Sequence, residues 1–137
     1  MFAGTGNLGI EALSRGAGSA VFIDRSQECF GIINENLKHT KLEDKASVMA
    51  GDVFVCLRRL CGQGRKFDIV FLDPPYNKNL IEETLTFIVQ NDIIKDNSII
   101  IAERDIDDII PESIAAIKLA REERYGDTVL SFYRYEY

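Results

Sequence analysis

The sequence predicts an α/β fold, a mostly parallel open sheet with helices on both faces, finished by an antiparallel β-hairpin. Three observations carry that expectation. Short apolar runs rich in β-branched and aromatic residues alternate with helical patterns from the amino end to Glu103. Three of these runs in succession lead into an aspartate: Asp24, Asp52 and Asp73. Residues 116–125, Gly126-Asp127 and residues 128–135 then read as strand, turn, strand.

The elements follow in order. Gly4-Thr5-Gly6-Asn7-Leu8-Gly9 is a G-x-G-x-x-G string that runs into residues 10–16, a short amphipathic helix ended by Gly16. Glycines there let backbone amides approach a ligand at the helix amino end. Such a motif expects a strand before its first glycine, and only three residues precede Gly4 here, so the central strand is expected to be missing. Ser19-Ala20-Val21-Phe22-Ile23 is a compact strand ending in Asp24, and Arg25-Ser26 opens a helical pattern through Ile32, Ile33, Asn36 and Leu37. An acidic residue so placed suits ribose hydroxyls; the alternative is that Asp24 caps the helix. Ala46-Ser47-Val48-Met49-Ala50 is the next strand, followed by Gly51-Asp52-Val53 and a helix to about Leu60. In a parallel sheet Asp24, Asp52 and Asp73 would face one crevice.

The chain is organised around Phe71-Leu72-Asp73-Pro74-Pro75-Tyr76, which follows the apolar run Lys66-Phe67-Asp68-Ile69-Val70. Two prolines fix two φ angles, remove two donors and forbid a helix at Asp73. What remains is a set of acceptors beside an aromatic ring, which suits a planar group carrying an NH2. The competing reading is a strand-ending turn, with Asp73 capping it and Tyr76 covering the core edge. Residues 79–90 then show helical spacing, and residues 97–103 form a strand around Ile99-Ile100-Ile101. Phe132, Tyr133, Tyr135 and Tyr137 suggest base stacking, but alternation in a strand places two of these rings on the core face instead.

With 137 residues, 46% hydrophobic and 28% charged, the chain has the make-up of one soluble domain. It shows no apolar run of membrane-spanning length and no basic-then-apolar leader, which points to the cytoplasm. Cys29, Cys56 and Cys61 contain no C-x-x-C pair, and with His39 alone they make a poor metal set, so no metal is expected. A net charge of −6 argues against a protein that holds nucleic acid by bulk electrostatics; a nucleic-acid substrate would need local basic patches or a segment upstream to supply the attraction. Lys38-His39-Lys41-Lys45, Arg58-Arg59 and Arg65-Lys66 read as solvated faces, each still able to meet a phosphate.

Together, the string from Phe2 to Ala17 and the Asp73-Pro74-Pro75-Tyr76 turn closely resemble the bacterial 16S rRNA guanine-N2 methyltransferases of the RsmD family. These belong to the class I, Rossmann-like methyltransferases that use S-adenosylmethionine. The resemblance implies that Gly4, Gly6 and Gly9 shape the loop under the methionine and ribose. Asp24 would hold the ribose hydroxyls, Asp52 the adenine amino group, and Asp73, Pro74 and Tyr76 the target base, with Asp73 at the junction of base and cofactor. It implies 16S rRNA or a small-subunit particle as partner. It also implies a first strand and a further segment upstream of Met1, so this chain is expected to be a shortened methyltransferase domain over residues 1–137. The Asp-Pro-Pro-Tyr turn is shared with DNA adenine methyltransferases, which keeps open an enzyme for DNA adenine or a protein amide, or a non-catalytic nucleotide-binding remnant. An NAD-dependent oxidoreductase is disfavoured, since the proline pair has no role there.

Overall fold

The computed structural model describes residues 6–74 and 79–135. Gly4, Pro75, Tyr76 and Tyr137 lie outside the described residues. The chain forms two compact units, Met1–Cys56 and Leu57–Tyr137.

In the first unit, helix α1 (Asn7–Ser14) opens behind Gly6, whose φ of 81° lies in the left-handed region where a Cβ is disfavoured. The Ile10 amide donates to the Gly6 carbonyl at 3.0 Å, so the helix begins ahead of the apolar pattern that starts at Ile10. It ends where Gly16 was expected to end it: φ there is 109°, and the Ala17 amide reaches back to the Ala12 carbonyl at 3.0 Å. Strands β1 (Ala20–Asp24) and β2 (Ala46–Ala50) pair in parallel, from Ala20 opposite Ala46 to Asp24 opposite Ala50. Between them runs α2 (Gln27–Thr40), where the Ser26 hydroxyl accepts from the Cys29 amide at 3.2 Å. Lys41, at φ 58°, turns the chain out of α2 into a 3-10 turn over Glu43–Lys45. Leu13, Phe22, Ile33 and Leu37 close the core of this unit, each contributing roughly 1.5–3 kcal/mol by leaving water.

Helix α3 (Val53–Gly62) begins in the first unit and runs into the second. Its buried Val53, Cys56, Leu57 and Leu60 follow the i, i+3, i+4, i+7 spacing of one apolar face. Then come β3 (Phe67–Leu72), α4 (Leu80–Gln90), β4 (Ile94–Asp105), β5 (Ser113–Ile114), β6 (Ile117–Tyr125) and β7 (Thr128–Tyr135). The strands form one sheet in the order β3-β4-β7-β6-β5, with β3 and β4 parallel and the remaining pairs antiparallel. Hydrogen bonding among the described residues thus makes two sheets, in which β1 and β3 each have one paired neighbour.

Two details differ from the sequence reading. Strand β4 starts at Ile94 rather than Asn97, because Phe67 pairs with Ile94 while Ile69 already pairs with Ile99. The polar excursion between them is closed by Ser98, whose hydroxyl donates to the Phe67 carbonyl at 2.7 Å and accepts from the Lys95 amide at 2.8 Å. Strand β5, too short to leave a periodic signal, pairs with β6 across a turn at Ala115, φ 49°. The terminal hairpin forms as expected, with Tyr125 opposite Thr128 and Gly126 at φ 62°. Tyr133 is fully buried on the same strand face as half-buried Tyr135, and its hydroxyl donates to the Pro111 carbonyl at 2.7 Å. Phe132, on the other face, lies under the Arg121 guanidinium at 4.1 Å.

Candidate active site

In the first unit Asp24 and Asp52 stand at the carboxyl end of the β1/β2 pair, and Gly6 and Gly9 lie against Phe22 of β1. Gly6 is the turn before α1, and Gly9 sits inside the helix, where an added Cβ would stand 2.3 Å from a Phe22 ring carbon. The glycine at position 9 is therefore demanded by the close packing of α1 on β1. Asp24 ends β1; its carbonyl accepts from the Gly51 amide at 2.9 Å, which ties it to the turn after β2. Its Oδ1 accepts from the Ser26 amide at 2.9 Å, so Asp24 shapes the turn into α2 while Ser26 itself caps that helix. Asp52 lies just beyond Ala50, the partner of Asp24, and its Oδ1 accepts from the Phe54 amide at 2.9 Å and the Val55 amide at 3.2 Å. It caps α3 through one carboxylate oxygen.

In the second unit Asp73 and Pro74 leave the carboxyl end of β3, Asp73 exposed and Pro74 buried. Leu72 stands opposite Ala102 in the parallel β3/β4 register, which sets Asp73 beside Glu103. The two carboxyl groups come within hydrogen-bonding reach; that contact first, then partial burial and the charge of Asp73, push the Glu103 carboxyl up to about 7. A cavity of about 270 Å³ lies next to them, walled by Pro74 and Glu103, by Asn79 and Leu80 at the start of α4, and by Asp107 to Ile110. Ile109, 96% exposed, puts an apolar side chain at this cavity's wall.

The loop after β4 is held by Arg104. Its Nη1 donates to the carbonyls of Asp105, Ile106 and Asp108 at 3.2, 3.3 and 3.0 Å, and its Nη2 to Glu122 at 2.6 Å. Ser131 donates to the same Glu122 carboxylate at 2.9 Å, and Arg104 with Ser131 holds that carboxyl below its ordinary range. Glu103 and Arg104 were not singled out from the sequence. The signal for Glu103 was present, since it too is an acid closing an apolar strand. Of the remaining expected site residues, Gly4 and Tyr76 fall outside the described residues. Among the described residues no group of three metal-binding side chains gathers, and Cys29, Cys56 and Cys61 are free thiols.

The family model described as conserved hypothetical protein 95 matches residues 1–134. A Bacillus subtilis protein, YlbH, is 34% identical over 98% of this chain and 73% of its own length. The ribosomal RNA small subunit methyltransferase D of Escherichia coli is 31% identical over 98% of this chain and 66% of its own. A crystal structure from Haemophilus influenzae superposes with a TM-score of 0.86 at 30% identity, over 99% of this chain and 84% of that one. A methyltransferase structure solved with SAH, 13% identical, superposes with a TM-score of 0.77 over 96% of this chain and 43% of that one, a likeness of fold alone. With a family model matched almost end to end, a solved relative at 30% identity and the strand, glycine turn and terminal hairpin in place, the chain belongs to the conserved hypothetical protein 95 family, the RsmD family, and has the class I methyltransferase fold.

Proposed function

We propose that this chain transfers a methyl group from S-adenosylmethionine to the exocyclic N2 amine of a guanine in 16S rRNA, as free RNA or within the small subunit, in the cytoplasm. The observation that carries the reading is the acceptor corner of Asp73 and Pro74 at the carboxyl end of β3. It stands in a family whose Escherichia coli member is named a small subunit rRNA methyltransferase.

The residues of the first unit fit the cofactor. Gly6 turns the chain at the amino end of α1 with its φ of 81°, and Gly4 precedes it by two residues in the sequence, so backbone amides there meet the methionine and ribose. Asp24 ends β1 and Asp52 follows β2, its parallel neighbour, the placement in which acids accept from a ribose diol and an adenine amino group. Because Oδ1 of Asp52 is taken by α3, it is Oδ2 that accepts from adenine. Gly9 contributes by letting α1 lie close to β1.

The bound sulfonium supplies an electrophilic methyl carbon. The guanine amino lone pair is delocalised into the ring and attacks poorly. Asp73 and the Pro74 carbonyl accept its two hydrogens and stabilise the positive charge that develops on nitrogen. Tyr76 stacks on the base, worth roughly 1–3 kcal/mol. Asp73 need not be a strong base, because the amine becomes acidic once methylated.

The test is incubation of the chain with labelled S-adenosylmethionine and, separately, small-subunit particles, free 16S RNA, DNA and protein. Digestion of the labelled product should yield N2-methylguanosine. Label recovered in adenine, in large-subunit RNA or in protein overturns the reading.

A further inference from the structure

Asp73 does not leave β3 alone. With Leu72 opposite Ala102, the next residues of the two parallel strands emerge side by side, and the carboxyl groups of Asp73 and Glu103 come within hydrogen-bonding reach of one another. Two ionised carboxylates so placed would have only acceptors between them, and a hydrogen bond joining them requires a proton. The surroundings offer little to replace that proton. Glu82 from the first turn of α4 and Asp107 and Asp108 from the loop after β4 line the same cavity, with no cation among its described walls. Leu130 of β7 stands opposite Glu103. Arg104, the next residue, is engaged with Glu122, Ser131 and three loop carbonyls.

The geometry points to Glu103 as a positioning residue for the methyl transfer: its carboxyl group donates a shared proton to the Asp73 carboxylate and so fixes that acceptor for the incoming amine. The inference rests on the proposed methyl transfer at Asp73. As the new N–C bond forms, the C–S bond breaks and its electron pair stays on sulfur. The nitrogen becomes cationic; one of its N–H bonds then breaks, leaving its electrons on nitrogen, and the proton forms an O–H bond on Asp73. The carboxyl pair now holds two protons and returns one to water. When alkaline conditions remove the shared proton, the two carboxylates repel and Asp73 loses its orientation.

The pair also has a thermodynamic signature. A carboxyl whose folded pKa is raised stabilises the fold fully below its unfolded value of 4.5 and loses that stabilisation as pH rises through about 7. Neutral pH is therefore unfavourable to this contact. Side chains held against their own stability are a recurrent feature of functional sites.

Three measurements test the inference, two of which need neither cofactor nor RNA. Carbon-13 NMR of the chain should find Glu103 titrating near 7, falling toward the ordinary carboxylate range in D73N. Thermal melts should show E103Q gaining on the wild type as pH rises from about 5 to about 8, because the amide donates to Asp73 without titrating. In methyl transfer to small-subunit particles, the wild-type rate should fall as pH rises through about 7 while E103Q stays level. E103A should lose about 100-fold at neutral pH, the scale of a misplaced reacting group. A Glu103 that titrates as an ordinary carboxylate, or an E103A variant that matches the wild type at every pH, overturns the role of Glu103 and leaves the functional reading standing. A wild type that labels no RNA overturns the functional reading, and the role of Glu103 in transfer with it, even where NMR finds the proton shared.

Discussion

Gly9 shows how one missing side chain sets the packing of a helix on a strand. In sequence it is the last glycine of a loop motif, yet its missing side chain is what lets α1 lie against β1. An added Cβ would meet the Phe22 ring at 2.3 and 2.6 Å, and that ring is buried in the core. Gly9→Ala should gain up to about 1 kcal/mol of helix propensity and lose about 1–3 kcal/mol to overpacking, a net destabilisation. Urea unfolding of G9A, and of G9A combined with Phe22→Leu, checks the cause: the second change should recover part of the loss. If G9A is as stable as the wild type, packing does not explain this glycine. Asp52 carries a comparable double duty, since one of its oxygens caps α3 and the other is the proposed adenine acceptor.

At the scale of elements, the two sheets differ in how well their strands are held. Strands β4 and β7 are each flanked by paired neighbours and bury Ile100, Ala102, Val129, Ser131 and Tyr133 along one face. Tyr133 and Arg104 both lock the loop between β4 and β5, through the Pro111 and Asp108 carbonyls, so this sheet also fixes the cavity wall. Strands β1 and β2 have one partner each among the described residues, and a two-stranded pair depends on its helices for stability. Hydrogen exchange should therefore find the amides of residues 21–24 and 47–50 exchanging at least about tenfold faster than those of residues 99–103 and 129–133. Equal protection in both sheets would show that β1 and β2 are held by more than their mutual pairing. A ligand bridging Asp24 and Asp52 should narrow the difference, because it ties the free ends of that pair together.

For the molecule as a whole, charge limits how the proposed RNA substrate can be held. A chain of net charge −6 is repelled by a polyanion, and its cations are partly engaged: Lys66 with Asp92 at 2.8 Å, Lys95 with Asp68 at 3.0 Å, Arg104 with Glu122 at 2.6 Å. Recognition is then expected to rest on contacts to a displaced base more than on phosphates. Affinity for free 16S RNA should fall by less than about 100-fold between roughly 50 and 200 mM salt, against the 1,000-fold or more of proteins with six or more phosphate contacts. Fluorescence anisotropy across that range measures the slope, and a steep one would show that a basic surface dominates binding.

The sequence by itself determined where each large element lies. Periodicity of two or of 3.6, a glycine after α1, Ser26 before α2 and Gly126-Asp127 between β6 and β7 are local signals, and local backbone physics acts on them directly. The strand-end positions of Asp24, Asp52 and Asp73 were legible for the same reason, each an acid at the end of an apolar run. Tertiary structure alone decided what depends on residues far apart in the chain. Glu103 acquires its meaning from the β3/β4 register, which sets it beside a carboxylate 30 positions earlier. Phe22 explains Gly9, Ser98 and Phe67 explain the early start of β4, and Glu122 and Ser131 explain Arg104. Each of these is a pairing between elements, and pairing is set by which strand lies beside which and in what register, a choice made by the packing of the whole unit and written in no single stretch of the chain.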